Sequence, residues 1–309
     1  MSKLSQQVKV ANAPVSYGAF EITVGSHPNV PAPETVLDAI ADAGYVGVDL
    51  GPYGYFGDGD GLERALRSRG LSLCGGFLEI PFSVPEELDR GMQELDRLLD
   101  VLDLFKHQEL LPVPTLSDAV REIERQQWPG KSAQDPSFGL SDERWESFTA
   151  GIQRAADRCR ARGFNPTFHH HTGSWVEAEW EVQKVLDLTD VDLALDSGHL
   201  LLGWGDPVKA LQEWGDRINH IHLKDAHVDV LRKIMEEGAP MGAIWEATAF
   251  CALGSGNLDL DGFVKGLEAI DYKGWLVVEQ DMVPDAENAV EVAIADQRRN
   301  REFLRERGV

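Results

Sequence analysis

One pattern repeats along this 309-residue chain and limits its fold more than any other. A short apolar run is followed by a loop of glycine and polar residues, then by a helical stripe closed by glycine. Runs at 8–15, 45–50, 71–77, 109–116, 167–171, 193–196, 218–223 and 275–280 read as strands, the fourth of them interrupted by two prolines. Val36, Leu37, Ile40 and Ala43 form a helical stripe that Gly44 can terminate, and Leu62, Ala65 and Leu66 form another that follows Asp60 and ends at Gly70. Ser83 and Glu86 have capping-box spacing ahead of a stripe of Leu88, Met92, Leu95, Leu99 and Leu102. A further helix starts near Ser141, buries Trp145, Phe148, Ile152 and Ala156, and stops at Gly163, while 126–139 reads as a long polar loop.

Eight strands alternating with helices argue for an α/β fold of the (β/α)8 TIM-barrel type, one domain over 1–309, for which about 250 residues is typical. An open doubly wound sheet is the alternative. The first strand-to-helix turn carries no GxGxxG, however, and no point of strand-order reversal is visible.

In such a barrel the active site lies at the C-terminal ends of the strands. There the sequence reads His169, His170 and His171 on strand five, Asp196 to His199 on six, His220 to Asp225 on seven, and Glu279 to Asp281 on eight. Alternation places His220, His222 and Lys224 on one face with Ile221 and Leu223 on the other, pairs His169 with His171, and groups Val277, Glu279 and Asp281. Seven of the nine histidines (169, 170, 171, 199, 220, 222 and 227) fall at or just after three strand ends, which packing does not require. Imidazole and carboxylate groups arriving from four neighbouring strands suit one divalent ion, Mn²⁺ or Co²⁺ foremost, with Zn²⁺, Mg²⁺ or a non-redox Fe²⁺ as alternatives. Cys74, Cys159 and Cys251 show no CxxC spacing, so a thiolate site or a disulfide framework is not expected.

At these residues the chain resembles the xylose-isomerase-like TIM-barrel superfamily of sugar isomerases, epimerases and endonuclease IV, and within it looks most like the inosose (2-keto-myo-inositol) dehydratases. The resemblance rests on segments at 13–18, 49–55, 75–77, 169–173, 195–200, 220–225, 254–256 and 274–281, whose order and spacing span nearly the whole chain. It implies a metal held by a glutamate on strand five, an aspartate on six, a histidine on seven and a glutamate on eight. The last three match Asp196, His222 and Glu279, and the superfamily's substrate-binding histidine matches His199. Strand five carries His169 where the glutamate is expected. Either His169 is the ligand, which is preferred because it lies on the strand, or Glu177 reaches back, or the metal has three protein ligands. Glu79 and the 126–139 loop also depart from the dehydratase pattern and could reshape the substrate pocket.

The chemistry implied is a metal-assisted enediolate at a ketone, followed by loss of a β-hydroxyl as water. The substrate would be a small keto-polyol. Lys224 could be the acid or base if neighbouring positive charge depresses its pKa, with His171 and His199 as the other candidates, but Lys224 reads equally well as a solvated lysine paired with Asp225. Tyr17, Tyr53, Trp175 and Trp204 could stack on a polyol ring or simply pack in loops, and Tyr17, Glu79, Trp175 and His220 are the substrate-binding candidates. Glu21 reads as an ordinary loop carboxylate, and Gly254-Ser-Gly256 as a turn rather than a phosphate nest. A keto-sugar isomerase or epimerase is the alternative function, as is a lyase that eliminates the aglycone of a 3-keto-glycoside. A nuclease is disfavoured, because a net charge of −23 without a basic stripe repels a phosphate backbone. The opening residues lack a signal-peptide pattern and no apolar run is long enough to span a bilayer, so a cytoplasmic enzyme is expected, without membrane or nucleic-acid partners and compatible with a homo-oligomer.

Overall fold

The structure, a computed structural model, describes residues 3–120 and 123–309. Eight parallel strands close a barrel: β1 (Val8–Asn12), β2 (Gly47–Asp49), β3 (Ser72–Ile80), β4 (Val113–Asp118), β5 (Thr167–His169), β6 (Asp192–Asp196), β7 (Ile218–Leu223) and, after an excursion, β10 (Gly274–Val278). The excursion includes β8 (Asp225–Ala226) and β9 (Phe250–Cys251), a short antiparallel pair outside the barrel. Register between β6 and β7 sets Asp196 beside His222, and that between β10 and β7 sets Val277 beside His222. Acid and imidazole therefore meet at one height by strand pairing alone.

Two apolar layers hold this frame. Inside the lower barrel, Ala11, Ala13, Cys74, Trp275 and Val277 cluster, and Gly47 is small because a Cβ there would collide with the Trp275 ring. Outside, helix stripes such as Val36, Leu37, Ile40 and Ala43 of Pro33–Ala43 bury against the strands, and Gly44 ends that helix in the left-handed region at φ 84°. Ser141 caps the helix Asp142–Ala161 by accepting the Arg144 N–H. All three cysteines are free.

Local chemistry moved several expected boundaries. The first strand stops at Asn12, because Pro14 fixes φ and begins a 3₁₀ turn, Pro14–Tyr17, that Gly18 closes. The fourth begins at Val113, just after Pro112, and β3 runs on to Ile80 so that Glu79 pairs with Ser117. The fifth is shorter than expected and ends at His169. Ser83 and Glu86 form no capping box. A 3₁₀ turn, Pro85–Glu87, leads into Leu88–Asp103, and the Ser83 hydroxyl has no partner among the described residues.

The region expected as a polar loop at 126–139 is built instead from a helix, Ile123–Gln127, and two 3₁₀ turns, Lys131–Ala133 and Pro136–Phe138. Its anchor is Arg125, 2 % exposed, whose Nη2 lies 3.1 Å from Glu177 and 3.0 Å from Glu181. A second insertion, between β8 and β9, carries the helices Val228–Glu237 and Gly242–Glu246. The two insertions are joined where Met241 N–H donates to the Gln126 carbonyl at 2.8 Å and the Gln127 side chain donates to the Gly238 carbonyl at 3.0 Å. Both contribute to the wall of the cavity at the barrel mouth, through Gln126 and Met241. No helix among the described residues is long and apolar enough to cross a membrane.

Candidate active site

A cavity of about 400 Å³ opens at the C-terminal ends of the strands. At its floor His169, Asp196 and His222 bring one potential ligand atom each within 4.8 Å of one another, and Glu279 Oε2 lies 3.2 Å from His222 Nδ1. Asp196 is fully buried at the helical turn Ser197–Leu202. Its Oδ1 accepts the His199 N–H at 2.9 Å, which leaves Oδ2 for His169 Nε2 at 3.3 Å, Lys224 Nζ at 3.1 Å and His222 Nδ1 at 3.7 Å. Burial opposes its ionised form, but Lys224 and the histidines around it outweigh burial and hold the Asp196 carboxyl well below the usual range. Among the described residues, His169 Nδ1 and His222 Nε2 are buried without a hydrogen bond, while His222 Nδ1 faces Glu279.

Lys224 is neither solvated nor paired with Asp225. It is 3 % exposed and its ammonium sits 2.9 Å from Glu279, 2.9 Å from Asp281 and 3.1 Å from Asp196. Burial works against the charge, yet these carboxylates prevail and raise its pKa well above the lysine value. The expected depression is therefore reversed, because the groups that converge on the nitrogen are anionic. Asp225 spends both oxygens on the backbone N–H groups of Ala226, Gly254, Gly256 and Leu258, each at 2.9 Å, so Gly254-Ser-Gly256 is a turn wrapped around an internal carboxylate.

His171 lines the cavity, and its Nδ1 lies 2.9 Å from the Thr172 carbonyl, an acceptor that makes Nδ1 the protonated nitrogen and leaves Nε2 with its lone pair. Burial, His169 and Lys224 push the pKa of His171 down to about 3. His199 lies behind, off the cavity wall, with Nδ1 3.1 Å from the Thr172 hydroxyl and Nε2 3.3 Å from the Lys224 ammonium. Burial and the neighbouring His171 and Lys224 keep it neutral.

The other sequence candidates divide. Glu79 is on the cavity wall. Tyr17 does not line it: the side chain is fully buried in the core, since the 3₁₀ turn that starts at Pro14 folds it under. Trp175 lies in a separate depression, within cation–π distance of Arg125 and Arg144. His220 shares the face of His222 but one layer deeper, fully buried and 5.1 Å from the His222 ring, and does not reach the cavity. Glu177 does not reach back to the metal cluster: its carboxylate accepts the N–H groups of Gly130 at 3.0 Å and Gly173 at 2.7 Å. Trp204 packs beneath Arg232, and Tyr53 is exposed.

Two acids with no sequence-assigned role are prominent. Asp281, which alternation already grouped with Glu279, forms a second cluster with His171 and His199. Asp49, at the end of β2, lines the cavity with Oδ2 unpartnered among the described residues, and burial first, then Glu279, raise its pKa to about 6 against the opposing Gly51 N–H. Its position at a strand end, at the start of the 49–55 segment, is the signal that the sequence carried.

A family model described as the xylose isomerase-like TIM barrel matches residues 37–306. Among curated proteins, an inosose dehydratase from Geobacillus kaustophilus is 29 % identical over 288 residues, covering 92 % of this chain and 91 % of that one. Another, from Clostridium botulinum, is 26 % identical over 309 residues and covers 98 % of each chain. Among solved structures, a D-allulose 3-epimerase from Methylomonas sp. in complex with D-allulose superposes with a TM-score of 0.67 at 16 % identity, covering 97 % of both chains.

Proposed function

Because this chain belongs to the xylose isomerase-like TIM barrel family and is similar to inosose dehydratases over nearly its whole length, we propose that it removes water from a cyclic keto-polyol through an enediolate, with 2-keto-myo-inositol as the foremost candidate substrate. Its class is that of a dehydratase, a carbon–oxygen lyase. One observation carries the finer reading: a neutral imidazole and a charged ammonium, His171 and Lys224, share a cavity with a buried cluster of ligand-type groups.

That cluster fits a divalent transition ion. Unbonded buried imidazole nitrogens beside carboxylates are costly unless something accepts their lone pairs, and an N/O set without thiolate favours Mn²⁺ or Co²⁺, with Zn²⁺ next. His169, Asp196, His222 and Glu279 are the proposed ligands. When bound, the ion would polarise the ketone as a Lewis acid. His171 Nε2 takes the α-proton, and the C–H electron pair becomes the enediolate double bond. As that pair shifts to expel the β-hydroxyl, Lys224 gives its proton to the leaving oxygen, which departs as water. One proton passing from the His171 imidazolium to the Lys224 amine resets the pair. His199 is a positioning residue that holds Lys224 from behind, and Glu79 would meet substrate hydroxyls at the wall.

The test is mass spectrometry of 2-keto-myo-inositol incubated in deuterated water with protein loaded with Mn²⁺ or Co²⁺. A product lighter by one water is expected. Deuterium exchange at an otherwise constant formula, with this or another ketose, would replace the dehydratase by an isomerase or epimerase. Release of an aglycone from a 3-keto-glycoside alone would keep the elimination and change its leaving group.

A further inference from the structure

The groups read as acting on substrate leave part of the barrel mouth to side chains of another kind. His169 ends β5 and Asp196 ends β6, and in the closed strand order β1-β10-β7-β6-β5-β4-β3-β2 the neighbours β1 and β2 stand across the barrel from that pair. The loops that leave β1 and β2 bring Pro14, Val15, Phe20, Ile22 and Pro52 to the cavity wall. Val15 is half-buried, and Ile22, 69 % exposed, is the most exposed large hydrophobic side chain among the described residues. The backbone keeps this shelf in place. Gly51 takes φ 60°, and a Cβ there would collide with the Pro14 ring. The Thr23 hydroxyl donates to the Gly18 carbonyl at 2.6 Å and accepts the Phe20 N–H at 3.1 Å, which fixes the turn that carries Phe20 and Ile22. Apolar side chains held open to water beside a polar floor leave a hydration cost that a ligand relieves by covering them. A bare six-carbon keto-polyol does not reach that far: with each heavy atom taking about half of a liquid water's ~30 Å³, it fills roughly half of the 400 Å³ cavity.

We propose that this shelf is a second subsite, and that the preferred substrate is a keto-polyol ring bearing an uncharged apolar substituent, an ether-linked aryl or alkyl group that lies on Val15 and Ile22 while the ring faces His171 and Lys224. The rest of the wall sets the charge of that substituent. Glu21, Asp49 and Glu79 disfavour an anion, and Lys224, which alone among the described residues contributes a lysine or arginine to the cavity, is engaged by three carboxylates. This inference rests on the reading of the cavity as a keto-polyol site. It adds that the catalytic half of the mouth selects the ring and the opposite half selects what the ring carries.

The test titrates myo-inositol and its mono-O-benzyl ethers, which have no ketone to react, into the Zn²⁺-loaded protein and into a Val15→Ser/Ile22→Ser double variant, with thermal melting as a check on folding. Burying the phenyl ring should make one benzyl ether bind wild type about tenfold or more tighter than myo-inositol by calorimetry. In the double variant that advantage should shrink to about threefold or less, and the same ether carrying a carboxylate on its phenyl ring should lose it in wild type. If wild type dehydrates 2-keto-myo-inositol yet binds no benzyl ether more tightly than myo-inositol, the shelf takes no substituent while the cavity assignment stands. An advantage undiminished in a folded double variant would place the phenyl ring elsewhere and overturn the subsite. If wild type neither dehydrates the ketone nor binds any of these polyols, the keto-polyol reading falls and takes this inference with it.

Discussion

Strand alternation fixes which face a side chain takes but not its height, and the histidines of β7 show the difference. His220 and His222 have the same parity, so alternation could not separate them and the family resemblance alone singled out His222; only His222 meets Asp196 and Glu279, because His220 lies a layer deeper. The charge state of Lys224 was hidden for a related reason: its three carboxylates come from residues 28 to 57 positions away, and no local pattern reports that they converge on one nitrogen. The same holds for Glu177, whose proximity to His169 in sequence suggested a ligand while Gly130, Gly173 and Ser132 claim its oxygens. This separates the alternatives for the metal. Removing a group that only supports a ligand costs roughly 10- to 100-fold in metal affinity, so deleting a direct ligand should cost at least that. Asp196→Ala, Glu279→Ala and His169→Ala should each lose most bound metal by elemental analysis after dialysis, and Glu177→Gln should retain a full equivalent. Retention of metal in His169→Ala would leave the ion with three protein ligands.

The repeating strand-and-helix units were legible because each must bury an apolar stripe, and that need is written in local spacing. What local spacing cannot show is a segment folded by partners far along the chain. The stretch at 126–139 looked like a polar loop since nothing periodic is there, but Arg125 beside it finds Glu177 and Glu181 more than 50 residues later and shares Ser132 with Glu181. Both insertions depend on this arrangement, as Gln126 is the next residue and receives the Met241 N–H. Arg125→Met would leave two buried carboxylates without their cation, a defect that typically costs about 3–5 kcal/mol. Denaturant unfolding should show a loss of that size, and the cavity wall at Gln126, Met241 and Trp245 should loosen, raising KM. A loss below about 1 kcal/mol would mean that the insertion is held by its apolar contacts instead.

At the scale of the molecule, net charge and local charge act in the same direction. The chain carries −23, and among the described residues five carboxylates (Glu21, Asp49, Glu79, Glu279 and Asp281) line a cavity to which Lys224 alone contributes a lysine or arginine. Such a field attracts a dication and repels a polyphosphate, and binding nucleic acid here would release no counterions to offset the repulsion. Two measurements should therefore diverge. Addition of Mn²⁺ at about a hundred times its Kd should stabilise the folded protein by about 2.7 kcal/mol, a rise of several degrees in the melting midpoint that Asp196→Ala abolishes. A duplex containing an abasic site should neither shift that midpoint nor be cleaved at physiological salt, with or without the metal. Tight binding of the duplex that weakens steeply as salt rises would show that a basic surface overrides the net charge, and the reaction would then have to be sought among phosphodiesters rather than polyols. A metal-dependent shift that persists in Asp196→Ala would move the ion away from the floor of the barrel, toward the second cluster of His171, His199 and Asp281, where it would compete with Lys224 for Asp281 and leave His171 unable to serve as a base.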